Sequence, residues 1–576
     1  MNELKIAHKL PNPQTLLLIV LLIGSGVCTR SSAAQDASSG PVRIHVDLAK
    51  TIGPYTAIYR WFGYDESNYT TMEHGKQLLG ELHDLSPEPI YIRAHHLLTS
   101  GNGVAELKWS SSNVFSLDAS GKPVYDFTIT DQTFDEYMKA GVRPFVELGF
   151  MPKDLAANVP GITEYQLHYP KPTMAGSVNN PPRDYAMWGE LIRKFTEHLV
   201  QRYGKQQVST WYFEVWNEPD IIYWHGTAAE YFELYDYAAG GVRAALPEAK
   251  VGGPASTGPG SPKSVDFLNG FLQHCLNDKS AADSKAVPLD FISFHPKGRP
   301  EVIDGHVRMG LADELRAAKT GFDIVAKYPR FAHLPIILSE ADPEGCAACS
   351  MKTNPANAYR NGPLYATYTA TAMKALFELA DQSHVNLQAM LSWSFEFEDK
   401  DYFEGFRTLA TNGIDKPVLN VFRMAGLMSG DRVDVTSTGQ IPVDHILSSG
   451  VRQQPDIDAL ATKAEGQAAV MLWDYHDDDL PAPSSRVEVT ISGIPTGVNR
   501  VLLEHYRIDD THSNAYTLWK EMGSPQSPTP QQYAQLKQAG QLELLSSPQW
   551  LNVTQGKVAI HTDLPRQATS LLRVQW

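Results

Sequence analysis

The sequence predicts an α/β fold, in which a (β/α)8 TIM barrel is followed by a C-terminal β-sandwich domain. The main observation is a regular alternation of short apolar strands and longer helical patterns between Tyr55 and about residue 430. Eight strands in such an alternation favour a closed barrel over an open sheet. After about Gly430 the pattern changes to short strands separated by Gly, Pro and Asp, as in a sandwich. A chain of 576 residues is also too long for one compact core, so two or more domains are expected.

Eight apolar runs are the candidate barrel strands, and helical periodicity separates most of them. The predicted strands are Tyr55–Phe62, Ile90–His95, Arg143–Leu148, Trp211–Trp216, Lys250–Gly252, Phe291–Phe294, Ile336–Leu338 and Leu387–Trp393. The clearest predicted helices are Asp184–Arg202, Ala228–Leu246, Leu311–Tyr328 and Leu364–Ala380. In the C-terminal part we expect strands at Ala468–Trp473, Val487–Ile491 and Val501–His505, and a short helix at Gln531–Ala539.

The N-terminal segment has the features of a secretory signal peptide. It carries the basic Lys5, an apolar core from Leu16 to Ile23, and small residues just before position 35. We therefore predict a secreted or periplasmic protein. The apolar core is too short for a membrane span, and no membrane span is expected elsewhere. The predicted division of the chain is a signal peptide at 1–34, a leader and strand at 35–49, the catalytic barrel at 50–430 and the β-sandwich at 431–576.

The formal net charge of −16 and the isoelectric point of about 5.6 are unfavourable for binding a polyanion. Nucleic acids and anionic membrane surfaces are bound by basic faces, so neither is expected as a partner. The 11 Trp and 25 Tyr residues suit a carbohydrate substrate, because the C–H-rich faces of sugars pack on aromatic rings. Most of these residues could equally belong to the core.

Two predicted strands end in a glutamate, and this pair is the main indication of function. Glu218 follows the fourth strand within Trp-Asn-Glu-Pro, and Glu340 follows the seventh. The carboxyl ends of the strands carry the chemistry of a TIM barrel. Two carboxylates there suit a retaining glycosidase, in which one protonates the leaving oxygen and the other, roughly 5 Å away, attacks the anomeric carbon. Taken alone, Glu218 could instead be a strand-end residue in a surface ion pair.

Six segments taken together resemble glycoside hydrolase family 39, which contains β-xylosidases and α-L-iduronidases. They are FGYDESNYT (62–70), IRAHHLL (92–98), PFVELGFMP (144–152), FEVWNEPD (213–220), DFISFH (290–295) and ILSEAD (337–342). The resemblance implies that Glu218 is the acid/base, that Glu340 is the nucleophile and that Asn217 binds the 2-hydroxyl of the sugar. It also implies that a strand at Val42–Leu48 pairs with the C-terminal domain.

Arg93 and His95 lie on the second strand and share one facing, because side chains repeat every two residues. Arg93 can anchor the nucleophile carboxylate and lower its pKa, and His95 can reach a sugar hydroxyl. Alternatively, Arg93 forms an ion pair at the bottom of the barrel and His95 is a core residue. His95 and His96 point to opposite faces and cannot easily share a metal ion. No cluster with metal-ligand spacing lies near either glutamate, so no metal and no other cofactor is expected.

The remaining candidate substrate-binding residues follow the sixth and eighth strands. His295 ends the sixth strand and is expected to face the sugar. Trp393, on the eighth strand, is expected to form a platform under the sugar ring. Glu396 is a further candidate, although the sequence does not determine whether Glu396 or Glu398 points inward.

Lys297 and Arg407 are the residues that could indicate whether the bound sugar carries a carboxylate. His-Pro-Lys-Gly and Phe-Arg-Thr-Leu resemble the iduronidase branch of the family, in which these cations meet the carboxylate of the sugar. Alternatively, the two cations form ion pairs with Glu398, Asp399 or Asp401, and the pocket takes a neutral pentose. The segment after His295 also lacks the Tyr that the resemblance to the xylosidase branch would imply there. The sequence therefore leaves open which sugar is bound.

Three cysteines remain after the predicted cleavage, which is too few for a four-thiolate zinc site. Cys346 and Cys349 follow Glu340 closely in the sequence. They either form a tight loop disulfide, as an oxidising compartment allows, or remain as free buried thiols.

The leading prediction of function is a secreted, retaining exo-glycosidase of β-xylosidase type that hydrolyses O-glycosidic bonds of polysaccharide fragments. An alternative keeps the mechanism but places a uronic acid or an arabinosyl unit in the pocket. An alternative of another class is a non-catalytic carbohydrate-binding protein, which the presence of Glu218, Glu340 and Asn217 disfavours.

Overall fold

The computed structural model describes residues 40–166 and 176–576. The predicted signal peptide, residues 1–34, and the leader that follows it to residue 39 lie outside the described residues. Among the helices of the described ranges, none combines the length and the apolar character needed to span a membrane.

Eight parallel strands form one sheet, in which each strand pairs with the next along the chain. The strands are Trp61–Tyr64, Tyr91–Ala94, Arg143–Leu148, Tyr212–Val215, Lys250–Thr257, Phe291–His295, Pro335–Leu338 and Asn386–Met390. Hydrogen bonds of 3.0 Å from Gly63 N to Ser392 O and from Ser392 N to Trp61 O join the first strand to the residues after the eighth. The sheet therefore closes, and the predicted TIM barrel is confirmed.

A helix follows each barrel strand. These helices are Glu73–His83, Thr128–Ala140, Tyr185–Tyr203, Ala228–Ala245, Pro262–Asn277, Leu311–Ala326, Pro363–Ser383 and Pro417–Gly426. Local sequence fixes where they begin. For example, the side chain of Thr227 accepts from Glu230 N while the Glu230 carboxylate accepts from Thr227 N, which is a capping box. The four helices predicted from periodicity are present with small shifts at their ends.

Three barrel strands differ from the prediction by more than one residue at an end. The eighth ends at Met390 rather than at Trp393. The first covers Trp61–Tyr64 rather than Tyr55–Phe62, because the preceding residues form a turn in which Ile58 N donates to Thr56 O. The fifth extends to Thr257, although Gly-Gly-Pro within it is normally a turn signal. A Cβ at Gly252 would come within 2.3 Å of a carbonyl oxygen of the sixth strand. Glycine at position 252 allows the two strands to approach closely. Because the same glycine also belongs to a turn signal, the sequence analysis ended the strand too early.

The interior of the barrel changes from apolar to polar along its axis. At the N-terminal ends of the strands, an aromatic and aliphatic cluster fills the barrel with Trp61, Tyr91, Phe145, Tyr212, Phe291 and Ile337. The next positions of the same facing, two residues along each strand, are Gly63, Arg93, Glu147, Glu214, Ser293 and Ser339. These six strands therefore each contribute an apolar group to the base, and five of them contribute a polar group near the carboxyl end.

A ten-stranded mixed sheet contains most of the C-terminal region. Its strands are Val42–Pro54, Asp431–Ser437, Asp456–Ala464, Gln467–Tyr475, Ser485–Ser492, Arg500–Ile508, Glu543–Leu544, Gln549–Asn552, Lys557–Leu564 and Thr569–Gln575. The strand Val42–Pro54 pairs antiparallel with Asp431–Ser437 and parallel with Ser485–Ser492. The N-terminal strand of the described chain is thus an internal strand of this sheet.

Alternating side chains along these strands build a second core. Val46, Val470, Val489 and Leu572, from different parts of the sheet, all belong to it. The sheet is folded over this shared core as a β-sandwich, which confirms the predicted fold class. Three short helices accompany its strands: Val443–Ser449, Ala515–Glu521 and Pro530–Ala539.

Candidate active site

Glu218 and Glu340 meet at the carboxyl ends of the fourth and seventh barrel strands. Ligand atoms of their carboxylates and of the His295 ring all lie within 4.8 Å of one another. Glu218 has a left-handed φ of 45°, and its N–H donates to Ala255 O at 2.7 Å. A non-glycine residue in this conformation is strained and must be held by its surroundings, which is common at active sites. The structure therefore brings the two predicted glutamates together.

A fully buried Arg93 forms the floor beneath them. Its Nη1 lies 3.2 Å from Glu340 Oε1, and its Nη2 lies 3.1 Å from Asn217 Oδ1. On its other sides, Nη2 lies 2.9 Å from Glu147 and Nε lies 2.5 Å from Glu214. A buried charge needs such partners, since desolvation is otherwise costly. Arg93 thus contacts Glu340 near the top of the barrel rather than forming an ion pair at its bottom.

Lys297 contacts the second carboxylate oxygen of Glu340, the one that Arg93 does not contact. Its Nζ lies 2.8 Å from Glu340 Oε2 and 2.8 Å from Asp342 Oδ2. The other oxygen of Asp342 accepts from the backbone N–H of Trp393 at 2.9 Å, which fixes the carboxylate in place. The charge of Lys297 is therefore shared between these two carboxylates, and not with the acidic residues 398–401.

Arg407 is also buried and paired. It donates to Glu344 Oε1 at 2.8 Å and to the backbone carbonyl of Trp393 at 3.2 Å, and its Nη2 lies 3.5 Å from Asp342. Both candidate cations therefore have acidic partners, but these partners are Glu340, Asp342 and Glu344 rather than the predicted ones.

The surroundings of the two glutamates shift their pKa values in opposite directions. Burial, reinforced by the charge of Glu340, raises the pKa of Glu218 to about 8. Burial alone would raise the pKa of Glu340 too, but the charges of Lys297 and Arg93 outweigh it and hold that pKa well below its usual range. At neutral pH Glu218 is therefore protonated while Glu340 is ionised.

His295 bridges the acid to the seventh strand. Its Nδ1 lies 3.0 Å from Glu218 Oε1, and its Nε2 lies 3.1 Å from Ser339 Oγ. Burial lowers the pKa of His295 to about 4, so the ring is neutral at neutral pH. A neutral ring in this position fixes the direction of the Glu218 carboxyl without adding charge.

His95 and Trp393 form one wall of the site. The ring of Trp393 lies 4.3 Å from that of His95 and 4.9 Å from the Arg93 guanidinium carbon, and its Nε1 donates to Asp65 at 2.9 Å. His95 Nδ1 bonds to the Glu147 carboxylate, and its Nε2 lies 3.3 Å from Asp65. Trp393 is 2% exposed, so its role as a sugar platform remains a prediction.

A glycine makes room for this wall. A Cβ at Gly63, on the first barrel strand, would lie 2.4 Å from the Trp393 ring. Only a residue without a side chain can occupy that position while the indole keeps its place.

Glu396 lies apart from these groups. Its Oε1 accepts from Gly413 N at 2.6 Å, and the charged residues that act on it include Asp415, Glu81, Glu398 and Lys416. The eighth strand ends at Met390, and the chain beyond Trp393 is irregular, so the alternation of a strand does not extend to Glu396. The structure does not bring Glu396 to the two catalytic candidates.

Cys346 and Cys349 form a disulfide in the loop after the seventh strand. Arg360 donates to the carbonyl of Cys349 at 2.7 Å and to that of Cys346 at 3.0 Å, and Arg407 N donates to Ala347 O at 2.9 Å. The loop thus anchors two buried arginines. Of the two alternatives left open by the sequence, the disulfide is the one present.

Glu218, His295 and Glu340 have a spacing that one cation could bridge. However, Oε1 of Glu340 lies 3.2 Å from Arg93 and Oε2 lies 2.8 Å from Lys297. These cations would repel a metal ion and compete for the same lone pairs. The arrangement therefore suits an ionised nucleophile better than a metal ligand.

Sequence analysis missed the carboxylates that contact Arg93, His95, Lys297 and Arg407, which are Asp65, Glu147, Glu214, Asp342 and Glu344. A signal existed for three of them. Glu147 and Glu214 each lie two residues after an inward aromatic side chain, and Asp342 lies two residues after Glu340. Extending the period-two rule from the aromatic base would have placed Glu147 and Glu214 inside the barrel.

Comparisons with known proteins identify the family of the chain. The family model "Glycosyl hydrolases family 39" matches residues 42–548. A β-xylosidase of Geobacillus stearothermophilus is 29% identical over 456 residues, covering 77% of this chain and 78% of the relative. An α-L-iduronidase of Mus musculus is 24% identical over 565 residues, covering 93% and 81%. The crystal structure of a monomeric β-xylosidase from Caulobacter crescentus CB15 has a TM-score of 0.72 at 21% identity, covering 92% of this chain and 99% of that one.

Proposed function

Since the chain belongs to family 39 of the glycosyl hydrolases and is therefore a glycoside hydrolase, we propose that it is a retaining exo-glycosidase of β-xylosidase type. The observation that carries this proposal is the proximity of the two carboxylates: one oxygen of Glu218 lies within 4.8 Å of one oxygen of Glu340. Retaining enzymes hold the carboxyl groups about 5–5.5 Å apart, whereas inverting enzymes leave about 6.5–9.5 Å for a water molecule. The short separation therefore favours the retaining arrangement.

In the first step, an oxygen of ionised Glu340 attacks the anomeric carbon as the bond from that carbon to the leaving oxygen breaks. Glu218 transfers its proton to the leaving oxygen. The pKa of about 8 keeps that proton available at neutral pH. Asn217 is oriented by Arg93 through its Oδ1. Its side-chain NH2 makes no hydrogen bond with the described residues, so it is available for the 2-hydroxyl of the sugar.

In the second step, water attacks the anomeric carbon and Glu340 departs as a carboxylate. Glu218, now ionised, takes the proton from the water. Its pKa falls after the first step, because Glu340 is neutral while it is esterified and no longer opposes the ionisation of Glu218. One residue can therefore serve as acid and then as base without any movement of its partners.

The pairing of the cations supports a neutral pentose. Lys297 already has two carboxylate partners, and Arg407 has a carboxylate and a carbonyl. Neither cation is left over for a carboxylate on C5 of the sugar. The β-xylosidase relatives, at 29% and 28% identity, support the same choice.

A uronic acid is the second candidate, and the position of Lys297 favours it. Its Nζ lies 2.8 Å from Glu340, the group proposed to attack the anomeric carbon, so it lies beside any sugar bound there. A substrate carboxylate could replace Asp342 as its partner. The comparison of Lys297→Met with the wild type on xyloside and uronide substrates separates the two candidates, since only a uronide would lose binding selectively.

The proposed site of action is the periplasm or the cell exterior. It rests on the apolar segment Leu16–Ile23, flanked by basic residues and followed by small ones. The disulfide Cys346–Cys349 supports it, because such bonds persist in oxidising compartments.

A panel of aryl xylosides, arabinosides and uronides, followed by NMR, tests the proposal. We expect the xyloside to be hydrolysed fastest and β-xylose to appear first from a β-xyloside. The initial release of α-xylose would mean an inverting mechanism. Failure to hydrolyse any glycoside would favour the non-catalytic alternative.

A further inference from the structure

A cavity of about 450 Å³ opens beside Glu218 and extends away from the catalytic pair. Its lining consists of Glu218, the loop at 257–260, His295, the segment Lys297–Arg299 and the first three turns of the helix Leu311–Ala326. Glu340 is not among the lining residues. The volume is within the range of sites for small ligands, about 300–1,000 Å³.

The position of the cavity relative to Glu218 and Glu340 indicates which part of the substrate it binds. The proposed acid protonates the oxygen of the leaving group, so that group must extend from the sugar past Glu218. A cavity lined by Glu218 but not by Glu340 therefore receives the leaving group rather than the sugar that is attacked. This step rests on the proposed function.

Not every charged side chain in the lining of the cavity has a partner of opposite charge. Lys297 is paired with Glu340 and Asp342, and Arg316 is paired with Asp313 at 2.5 Å. Burial keeps Glu218 protonated at neutral pH. Among the described residues, one cationic side chain of the lining then has no acidic partner.

That charge belongs to Arg299. Its side chain is exposed, and within residues 40–166 and 176–576 it forms no ion pair and no hydrogen bond. Its backbone, by contrast, is held, since a Cβ at Gly310 would lie 2.5 Å from both its N and its O. An unpaired guanidinium on an anchored backbone, in a chain of net charge −16, is poised for an anionic ligand.

We propose that this cavity is the leaving-group subsite and that Arg299 selects leaving groups that carry a negative charge, such as a uronic acid or a sulfated sugar. The substrate would then be a terminal sugar linked to an acidic residue of a glycan. Carboxylate and sulfate share the geometry that a guanidinium recognises, so both are tested below.

The test compares three disaccharides with xylose at the non-reducing end, linked to glucose, to glucuronic acid or to glucose 6-sulfate. For each, kcat/KM is measured in wild type, in Arg299→Met and in Arg299→Lys. We expect Arg299→Met to lower the ratio of acidic to neutral substrate by about fivefold, as for a solvent-exposed ion pair. Arg299→Lys should recover part of the ratio. The carboxylated and sulfated substrates show which anion is preferred.

The matched control is Lys263→Met, which removes one exposed positive charge from the neighbouring helix without touching the cavity lining. It should leave the ratio unchanged, because contact and not overall charge is proposed. An unchanged ratio in Arg299→Met, or an equal fall in Lys263→Met, would overturn the assignment. In 1 M salt, where the Debye length is about 3 Å, the wild-type ratio should fall towards that of Arg299→Met.

Binding of the free leaving group keeps this test independent of the attacked sugar. Saturation-transfer NMR of glucuronate, glucose 6-sulfate and glucose needs no turnover. If no xyloside is hydrolysed but an acidic sugar binds better than glucose and loses this advantage in Arg299→Met, the choice of xylose fails and the subsite stands. If wild type hydrolyses xylosides but neither acidic sugar binds better than glucose, the subsite proposal fails and the proposed function stands.

Discussion

Lys297 donates a hydrogen bond of 2.8 Å to Glu340, from the loop after the sixth strand to the end of the seventh. Among the cations around Glu340, its charge does most to lower the pKa of this carboxylate. The same amine also contacts Asp342, so it is held in place before substrate arrives. The pair explains how a carboxylate that is almost fully buried remains ionised and nucleophilic.

Replacement of Lys297 by methionine should therefore reduce kcat/KM at acid pH and so narrow the pH range of activity. The positive charge favours the ionised form of Glu340, so its removal raises the pKa and reduces the ionised fraction at low pH. We expect the acid limb of kcat/KM to move up by about 1–2 pH units. Lys319→Met, a surface variant on the helix that follows, serves as the control. A profile with the same acid limb in Lys297→Met and wild type would contradict this account.

Glu218→Gln should remove the basic limb of the profile. The carboxyl must be protonated to act as acid, and its pKa of about 8 predicts that wild-type activity declines as the pH rises past that value. The variant should lose about 10²–10⁴-fold on substrates with poor leaving groups and much less on dinitrophenyl glycosides, which need little protonation. An equal loss on both classes would exclude Glu218 as the acid.

The glutamates and Arg93 could be predicted from the sequence because their positions follow from strand geometry. A strand that ends in a glutamate delivers it to the catalytic face, and the two-residue period places Arg93 in the interior. Glu396 could not be placed in this way, because the chain leaves the sheet after Met390 and the period no longer applies.

The partners of Lys297 and Arg407 were mispredicted for a different reason. The sequence offered acidic residues close by along the chain, at 398–401. In the barrel, the closest carboxylates come from the loop after the neighbouring seventh strand, Asp342 and Glu344. Proximity in a barrel is set by the order of strands, which a local pattern does not contain.

Loss of the disulfide should reduce the stability of the protein. The double variant Cys346→Ser/Cys349→Ser frees a loop whose carbonyls hold Arg360 and whose Ala347 bonds to Arg407. For so short a loop, we expect a loss of about 2 kcal/mol in the free energy of unfolding. Differential scanning calorimetry with and without dithiothreitol measures it. The reductant should lower the Tm of wild type and leave the double variant unchanged; a Tm of wild type that does not respond would refute the prediction.

Prolonged EDTA treatment should leave turnover intact. Both oxygens of Glu340 lie against cationic side chains, and cleavage by two carboxylates needs no metal ion. The assay is the rate of xyloside hydrolysis before and after dialysis against the chelator. Complete loss that a divalent cation restores would show that the acidic groups bind a metal after all.

The central claim is that Glu340 is the nucleophile of a retaining mechanism. Its most direct test is the anomeric configuration, by NMR, of the product that Glu340→Ala forms from an activated β-xyloside in the presence of azide. Without its nucleophile the variant should be nearly inactive, and azide should enter the vacated space and attack from the side that Glu340 occupied. The account predicts the α-xylosyl azide, with inverted configuration; the β-xylosyl azide, with retained configuration, would contradict it.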